Sequence, residues 1–281
     1  TVMLGFSDST KDGGYFMANW SIYKAKENLS KVANKYKIEI SFFDGRGGPP
    51  ARGGGNTHQF YASMGNLIEA NEIQLTIQGQ TISSNFGTID SSQFNLEQLL
   101  SSGISNVIQD SSINNLTKKD RKTLDFLANK SFKEYESFKN HPKFLPYLEN
   151  MSTLPYYSKT NIGSRPSKRN NSNSLIFSDL RAIPFVGSWS QLKQNVPGFF
   201  GVGSAINDLN KKGEIKLVKE LFKNSSFFRT LVFNSMMSLT KSFFELTSYM
   251  EADKEYGPFW KLIHNEFILT KKMLKKISGF K

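Results

Sequence analysis

The chain has 281 residues, room for one large domain or two modest ones, and its 38% hydrophobic and 13% aromatic content, with 24 Phe, excludes a disordered chain despite a mean hydropathy of −0.41. No apolar run approaches the ~18 residues of a membrane span, Thr1 to Phe6 lack the form of a signal peptide, and zero Cys excludes disulfides, thiolate zinc sites and a Cys nucleophile, so a cytoplasmic protein is expected. Lys+Arg 36 against Asp+Glu 24 leaves a net charge of +12, which suits anionic partners such as phosphates, acidic metabolites or nucleic acid.

Val2, Met3 and Leu4 read as a strand already under way, as in a piece of a longer chain, and Ser7 to Gly14 reads as a turn. Ala18, Ile22, Ala25, Leu29, Val32 and Tyr36 alternate spacings of four and three, which predicts an amphipathic helix. Ile38, Ile40 and Phe42 alternate with polar residues and predict a strand that stops at the glycines from Gly45 onward. Ile73 to Ile77 and Arg181 to Val186 are further strand candidates, the last requiring Pro184 to sit where no ladder donor is needed. Strand, helix, strand is a βαβ unit, so the expected sheet is parallel with helices between its strands. Thr117 and Asp120 have the spacing of a capping box, and Leu124, Ala128, Ser131, Tyr135 and Phe138 predict a helix ending near His141-Pro142. Between Arg165 and Asp179, Arg-Pro-Ser-Lys-Arg-Asn-Asn-Ser-Asn-Ser is basic and polar with nothing to bury and reads as a mobile loop. From Gly213 the sequence reads as three helices broken near Asn224-Ser225 and Gly257-Pro258. The 14 basic and seven acidic residues from Lys211 to Lys281 carry +7 along these helices and read as solvated faces.

Only seven of the 36 basic residues are Arg, at 46, 52, 121, 165, 169, 181 and 229. Five of them fall in three short stretches, and a planar fork that grips phosphate or carboxylate through two bonds is the physical reason to use Arg where Lys prevails. Six of the 21 glycines lie between Gly45 and Gly55, directly after a strand, with Arg46 and Arg52 among them. Glycine lets the backbone approach an anion closely. Neither the P-loop nor the dinucleotide pattern is met here. An RGG-type RNA-binding segment is the alternative, but such segments repeat many times and this one occurs once. Asp8, in Phe6-Ser-Asp-Ser-Thr-Lys-Asp-Gly-Gly14, either holds a magnesium ion through oxygen or, with Ser7, caps a helix, and spacing leaves both open. His58, His141 and His264 lack metal-ligand spacing and read as structural.

Taken together, Val-Met-Leu-Gly-Phe-Ser-Asp-Ser-Thr-Lys-Asp-Gly-Gly14, the Gly-Arg-Gly-Gly and Arg-Gly-Gly-Gly-Asn-Thr-His58 pair, Gln-Gly-Gln80, Gly-Ser-Arg-Pro-Ser-Lys-Arg169 and Leu-Arg-Ala-Ile-Pro-Phe-Val186 resemble the phosphoenolpyruvate carboxylases, in that family's order. The resemblance covers residues 1 to about 206 and fades beyond. It implies an α/β, helix-rich fold: the C-terminal part of a (β/α)8 TIM-type barrel over 1–206, with additional C-terminal helices over 207–281. It also implies the C-terminal half of a longer, oligomeric, allosteric enzyme. The catalytic His and second metal carboxylate lie upstream, so the piece alone is expected to be inactive.

By the same resemblance, Asp8 matches the ligand of Mg²⁺ or Mn²⁺, and Lys11 matches a lysine suited to bicarbonate. Arg46 and Arg181 match the arginines that clamp the phosphate of phosphoenolpyruvate, and Arg52 the one associated with carboxyphosphate. Arg165, Lys168 and Arg169 match a loop that closes over the site, and Lys241 a lysine that binds an inhibitory dicarboxylate. Asp44 stands where the family usually has His, adding an anion beside Arg46, and Gln80 stands where Glu is usual. The implied reaction is carboxylation of phosphoenolpyruvate by bicarbonate to oxaloacetate and phosphate, with the remaining half of the enzyme as partner. The alternative is a non-catalytic basic domain that binds anions or nucleic acid, nucleic acid being the less expected partner.

Overall fold

A computed structural model describes residues 1–46, 48–68, 72–77, 80–108, 115–157 and 175–280, with side chains 80 and 105–108 left aside. Strands β1 (Val2–Leu4), β2 (Phe42–Asp44) and β3 (Ile73–Leu75) form a parallel sheet in the order β1-β2-β3, with Leu4 opposite Asp44 and Asp44 opposite Leu75. Because the strands are parallel, the segments that leave their C-terminal ends emerge on one side. Ligand-binding loops of α/β proteins gather on that side. The helices, in chain order, are α1 (Phe6–Gly13), α2 (Tyr15–Tyr36), α3 (Thr57–Ala62), α4 (Gln80–Phe86), α5 (Ile89–Ile108), α6 (Lys118–Lys139) and α7 (Phe144–Met151). They continue with α8 (Leu154–Tyr157), α9 (Ala182–Gln191), α10 (Val202–Lys211), α11 (Ile215–Asn224), α12 (Ser226–Thr240) and α13 (Gly257–Ser278). Short 3-10 stretches cover Pro50–Arg52, Phe177–Asp179, Val196–Gly198 and Phe244–Ala252.

Four local expectations change. Ser7 to Gly14 is helical rather than a turn: Ser9 N–H bonds the Gly5 carbonyl at 3.3 Å, and the chain breaks only at Gly14, whose φ of +77° lets it lie flat on the Tyr135 ring. Ile38 and Ile40 lie outside β2, because Lys37 ends α2 in the left-handed conformation and Ile38 N–H turns back to the Ala33 carbonyl at 2.9 Å. Arg181 to Val186 is the start of a helix, where Pro184 sits in the first turn and its missing N–H costs no bond. The buried stripe of α2 is also rotated from the predicted one. It runs through Ile22, Lys26, Ser30 and Ala33, while Val32 and Tyr36 are exposed. A lysine occupies the inner face of that helix because a buried carboxylate awaits it.

The capping box at Thr117 and Asp120 is present, with Asp120 N–H on Thr117 Oγ1 at 3.1 Å, and Leu124, Ala128, Ser131, Tyr135 and Phe138 are all buried. The abundance of Phe is spent on one aromatic core. Phe138 stacks on Phe200 at 4.1 Å and on Phe259 at 5.3 Å, which joins α6 to the segment just before α10 and to α13. Both expected breaks in the C-terminal helices occur: the Ser225 hydroxyl caps α12 by accepting Phe228 N–H at 3.1 Å, and Pro258 lies in the first turn of α13. The 3-10 stretch Phe244–Ala252 is an addition to the three expected helices. Lys216, Lys219, Lys223, Lys271, Lys272, Lys275 and Lys276 are exposed. No helix among the described residues is long and apolar enough to cross a membrane.

Candidate active site

The glycine-rich segment leaves β2 as a tight loop folded on itself. Gly54 and Gly55 N–H groups bond the Pro49 and Gly48 carbonyls at 3.1 and 3.0 Å, and Gly53 adopts φ +76° where a Cβ would lie 2.7 Å from the Phe6 carbonyl oxygen. Only glycine fits at that point, and the close approach seats the loop on α1. Arg46 holds the loop from beneath. Its Nη1 donates to Thr57 Oγ1 at 3.1 Å and its Nη2 to the carbonyls of Gly54 at 3.1 Å and Asn56 at 3.3 Å, while Cζ lies 4.2 Å from the centre of the Phe60 ring. Arg46 is 3% exposed, and its Nε has no hydrogen-bond partner among the described residues. The Arg52 side chain folds over Gly48, its backbone carbonyl accepts from Ser7 Oγ at 3.1 Å, and burial lowers its pKa.

Asp44 is 1% exposed, and its Oδ2 accepts from both Lys26 Nζ and the Tyr61 hydroxyl, each at 2.6 Å. Burial pushes the Lys26 pKa down against the opposing pull of Asp44, and burial next to that carboxylate pushes the Tyr61 hydroxyl well up. Among the described residues Arg46 forms no ion pair, with Asp44 or any other carboxylate. The added anion is therefore paired with Lys26 and not with Arg46, on whose pKa burial has the largest effect and Asp44 a smaller, opposing one.

The other expected residues converge at the level of elements. α1, the 3-10 turn Pro50–Arg52 and α9 pack on one another, and these elements carry Asp8 and Lys11, Arg52, and, at the N-cap of α9, Arg181. Lys11 is buried, pairs with Asp12 Oδ1 at 2.6 Å and lies 4.2 Å over the Phe177 ring. Lys139 shares that ring at 5.0 Å and donates to the Asp12 carbonyl; burial and neighbouring Lys11 lower its pKa, with Asp12 opposing. Arg181 is half-buried at the N-cap of α9, and its Nε is unpartnered among the described residues. Lys241 is exposed at the C-cap of α12, the helix that packs on the Arg52 turn. Arg165, Lys168, Arg169 and the Gln80 side chain lie outside the described residues.

Asp8 is exposed in the first turn of α1, while the Asp12 carboxylate on the same helix is engaged by Lys11. Among the described residues no group of three or more His, Asp or Glu side chains could hold a metal ion, so these residues do not by themselves fit one. His58 bonds the Gln98 carbonyl through Nδ1 at 2.7 Å, His141 Nδ1 accepts Lys143 N–H at 3.1 Å, and His264 packs against Phe244 and Trp260.

Three site neighbours escape the sequence reading. Lys26 and Tyr61 hold Asp44, and Asn234 of α12 accepts Asn56 N–H at 3.0 Å beside Gly55, whose φ is +109°. Neither Lys26, which is absent from the stripe that apolar spacing predicts for α2, nor Asn234 carries a local signal.

The sequence matches the family model for phosphoenolpyruvate carboxylase over residues 1–281. It is similar to the phosphoenolpyruvate carboxylase of Rhodothermus marinus, with 30% identity over 285 residues, an alignment that covers 99% of this chain and 30% of that protein. The chain thus spans about 30% of the length of that relative. With a loop of glycines and arginines seated above a parallel sheet and a match running from end to end, the chain belongs to the phosphoenolpyruvate carboxylase family.

Proposed function

We propose that this chain supplies the arginine-bearing part of a carboxylase site, within the C-terminal portion of a (β/α)8 barrel and its added helices. In that reaction a bicarbonate oxygen attacks the phosphorus of phosphoenolpyruvate and the bond from phosphorus to the enol oxygen breaks, leaving carboxyphosphate and the enolate of pyruvate. Carboxyphosphate then releases CO₂ and phosphate, and the enolate carbon adds to CO₂ to give oxaloacetate. Negative charge is present at every stage, and fixed guanidinium groups in a site sheltered from water stabilise it. Arg46 contributes a buried positive charge beneath the loop, Arg181 a half-buried fork, Arg52 a cation at the loop turn, and Lys11 a cation suited to bicarbonate. Arg165, Lys168 and Arg169 close over the site, Asp8 offers one carboxylate toward a magnesium or manganese ion completed by residues elsewhere in the enzyme, and Lys241 receives an inhibitory dicarboxylate. The observation that carries this reading is the packing of α1, the Arg52 turn and α9 on one another at the ends of the parallel strands.

The test is a calorimetric titration of the chain with phosphoenolpyruvate, with and without Mg²⁺, beside a titration with a DNA duplex at rising salt. Phosphoenolpyruvate binding that Arg181→Lys weakens supports the proposal. Binding confined to the polyanion and abolished by salt would replace it with a basic nucleic-acid-binding domain.

A further inference from the structure

Two residues before the central arginine of the loop, a buried carboxylate ought to be harmful. An Asp44 left to itself would draw the Arg46 fork into an ion pair, and a paired guanidinium has little attraction left for a ligand anion. The structure avoids this. Asp44 Oδ2 takes the Lys26 ammonium and the Tyr61 hydroxyl at 2.6 Å each, and the Lys26 Nζ is further held 5.1 Å over the Phe42 ring and 5.6 Å over the Tyr61 ring. Lys26 comes from α2 and Tyr61 from α3, so the end of β2 is keyed to the helices on both sides of the loop. Arg46 meanwhile spends its fork on neutral oxygens of the loop, none of which cancels its charge. Lys26, Asp44 and Arg46 are each 3% exposed or less, two cations and one anion. Once the first pair is subtracted, one buried positive charge remains, and a buried unpaired cation favours an incoming anion strongly.

We propose that Lys26 and Tyr61 are positioning residues of the glycine-loop site: they sequester the Asp44 carboxylate, leaving the Arg46 charge for a phosphate-bearing anion and the Arg46 fork for the loop. The proposal rests on the reading of that loop as the binding place of phosphoenolpyruvate. Neither residue touches the ligand; both act through Asp44.

Two measurements on the full chain test it. In calorimetric titration with phosphoenolpyruvate, Lys26→Gln should weaken binding about tenfold, one unit of charge compensation at short range, and Lys26→Gln with Asp44→Asn should return to within about threefold of the parent. Tyr61→Phe, which removes one donor and keeps the ring, should show a smaller loss with the same rescue. It is the fallback should Lys26→Gln not fold. The second measurement is a crystal structure of the Lys26→Gln or Tyr61→Phe variant, in which the Arg46 fork should leave the Gly54 and Asn56 carbonyls for Asp44. A folded Lys26→Gln variant that binds as the parent does, or a double variant that stays weak, overturns the proposal. So does an Arg46 fork that has not moved. A parent chain that does not bind phosphoenolpyruvate at all overturns the reading of the loop instead, and the crystallographic measurement still decides whether Lys26 and Tyr61 keep Asp44 from Arg46.

Discussion

Arginine is scarce in this chain, and each well-described example shows what its fork is for. Arg121 grips both oxygens of Glu27 at 2.6 and 2.7 Å, and Arg229 Nη1 donates to the Phe222 and Lys223 carbonyls that end α11. Neither is at the glycine loop, so scarcity marks a need for a fork and not specifically a ligand site. Arg121→Lys should cost up to about 1 kcal/mol of stability, because the pair is partly exposed. Arg46 and Arg181 separate the two uses. Arg46→Lys keeps the charge but cannot reach Thr57, Gly54 and Asn56 together, so it should lower the melting temperature and weaken phosphoenolpyruvate binding. Arg181→Lys, with no loop to hold, should weaken binding by about tenfold at an unchanged melting temperature. Thermal scans beside the titrations distinguish these outcomes, and equal losses of stability in both variants would refute the assignment.

At the scale of elements, a buried carboxylate serves as a cap for a helix to which it does not belong. Glu266 of α13 accepts Gly201 N–H and Ser204 N–H at 3.1 Å each, and the Ser204 hydroxyl at 2.5 Å, over the first turn of α10. These donors lower its pKa, but burial outweighs them and the net shift is upward. The sign follows: between the ordinary glutamate pKa of about 4.3 and the raised value, the unfolded chain loses a proton that the folded chain keeps, so the contribution of Glu266 to stability falls as pH rises through that window. Glu266→Gln should therefore lose stability at low pH through its imperfect cap and regain ground on the parent as pH rises above the ordinary glutamate pKa. Melting temperatures across that range check it, and a constant difference between the two proteins would contradict the raised pKa.

At the scale of the molecule, the loop is braced by residues far apart in sequence. Arg46 and Arg52 are carried by a segment that packs on α1, on Val196–Gly198 and on α12, so the proposed site depends on the fold of the whole chain and not on the loop alone. Asp8 is exposed and belongs to no group of three or more metal-ligating side chains among the described residues, so the proposed carboxylation needs further residues to complete it. The chain alone is expected to bind phosphoenolpyruvate without converting it. A coupled assay for oxaloacetate, run on the chain with and without the remaining portion of the enzyme, checks this, and turnover by the chain alone would show the site to be complete.

Much of this was legible from residue order. The opening strand, the helix from Lys118 to Lys139 with its capping box, the breaks at Ser225 and Pro258, and the glycine loop after a strand all depend on neighbours within a few residues. Periodicity, caps and φ preferences report such neighbours directly. The motifs that carry the family resemblance are local for the same reason. The errors have two sources, a local backbone conformation that composition does not report and a distant partner that overrides a local preference. Arg181 to Val186 looks like a strand by composition but is a helix whose first turn accommodates Pro184, and the inner face of α2 could not be assigned to Lys26 until Asp44, 18 residues on, was brought against it. The charge state of the glycine loop is likewise a tertiary fact. The chain lists one carboxylate beside one arginine, and only packing decides that the carboxylate is taken by a lysine from another element, which leaves the arginine its charge.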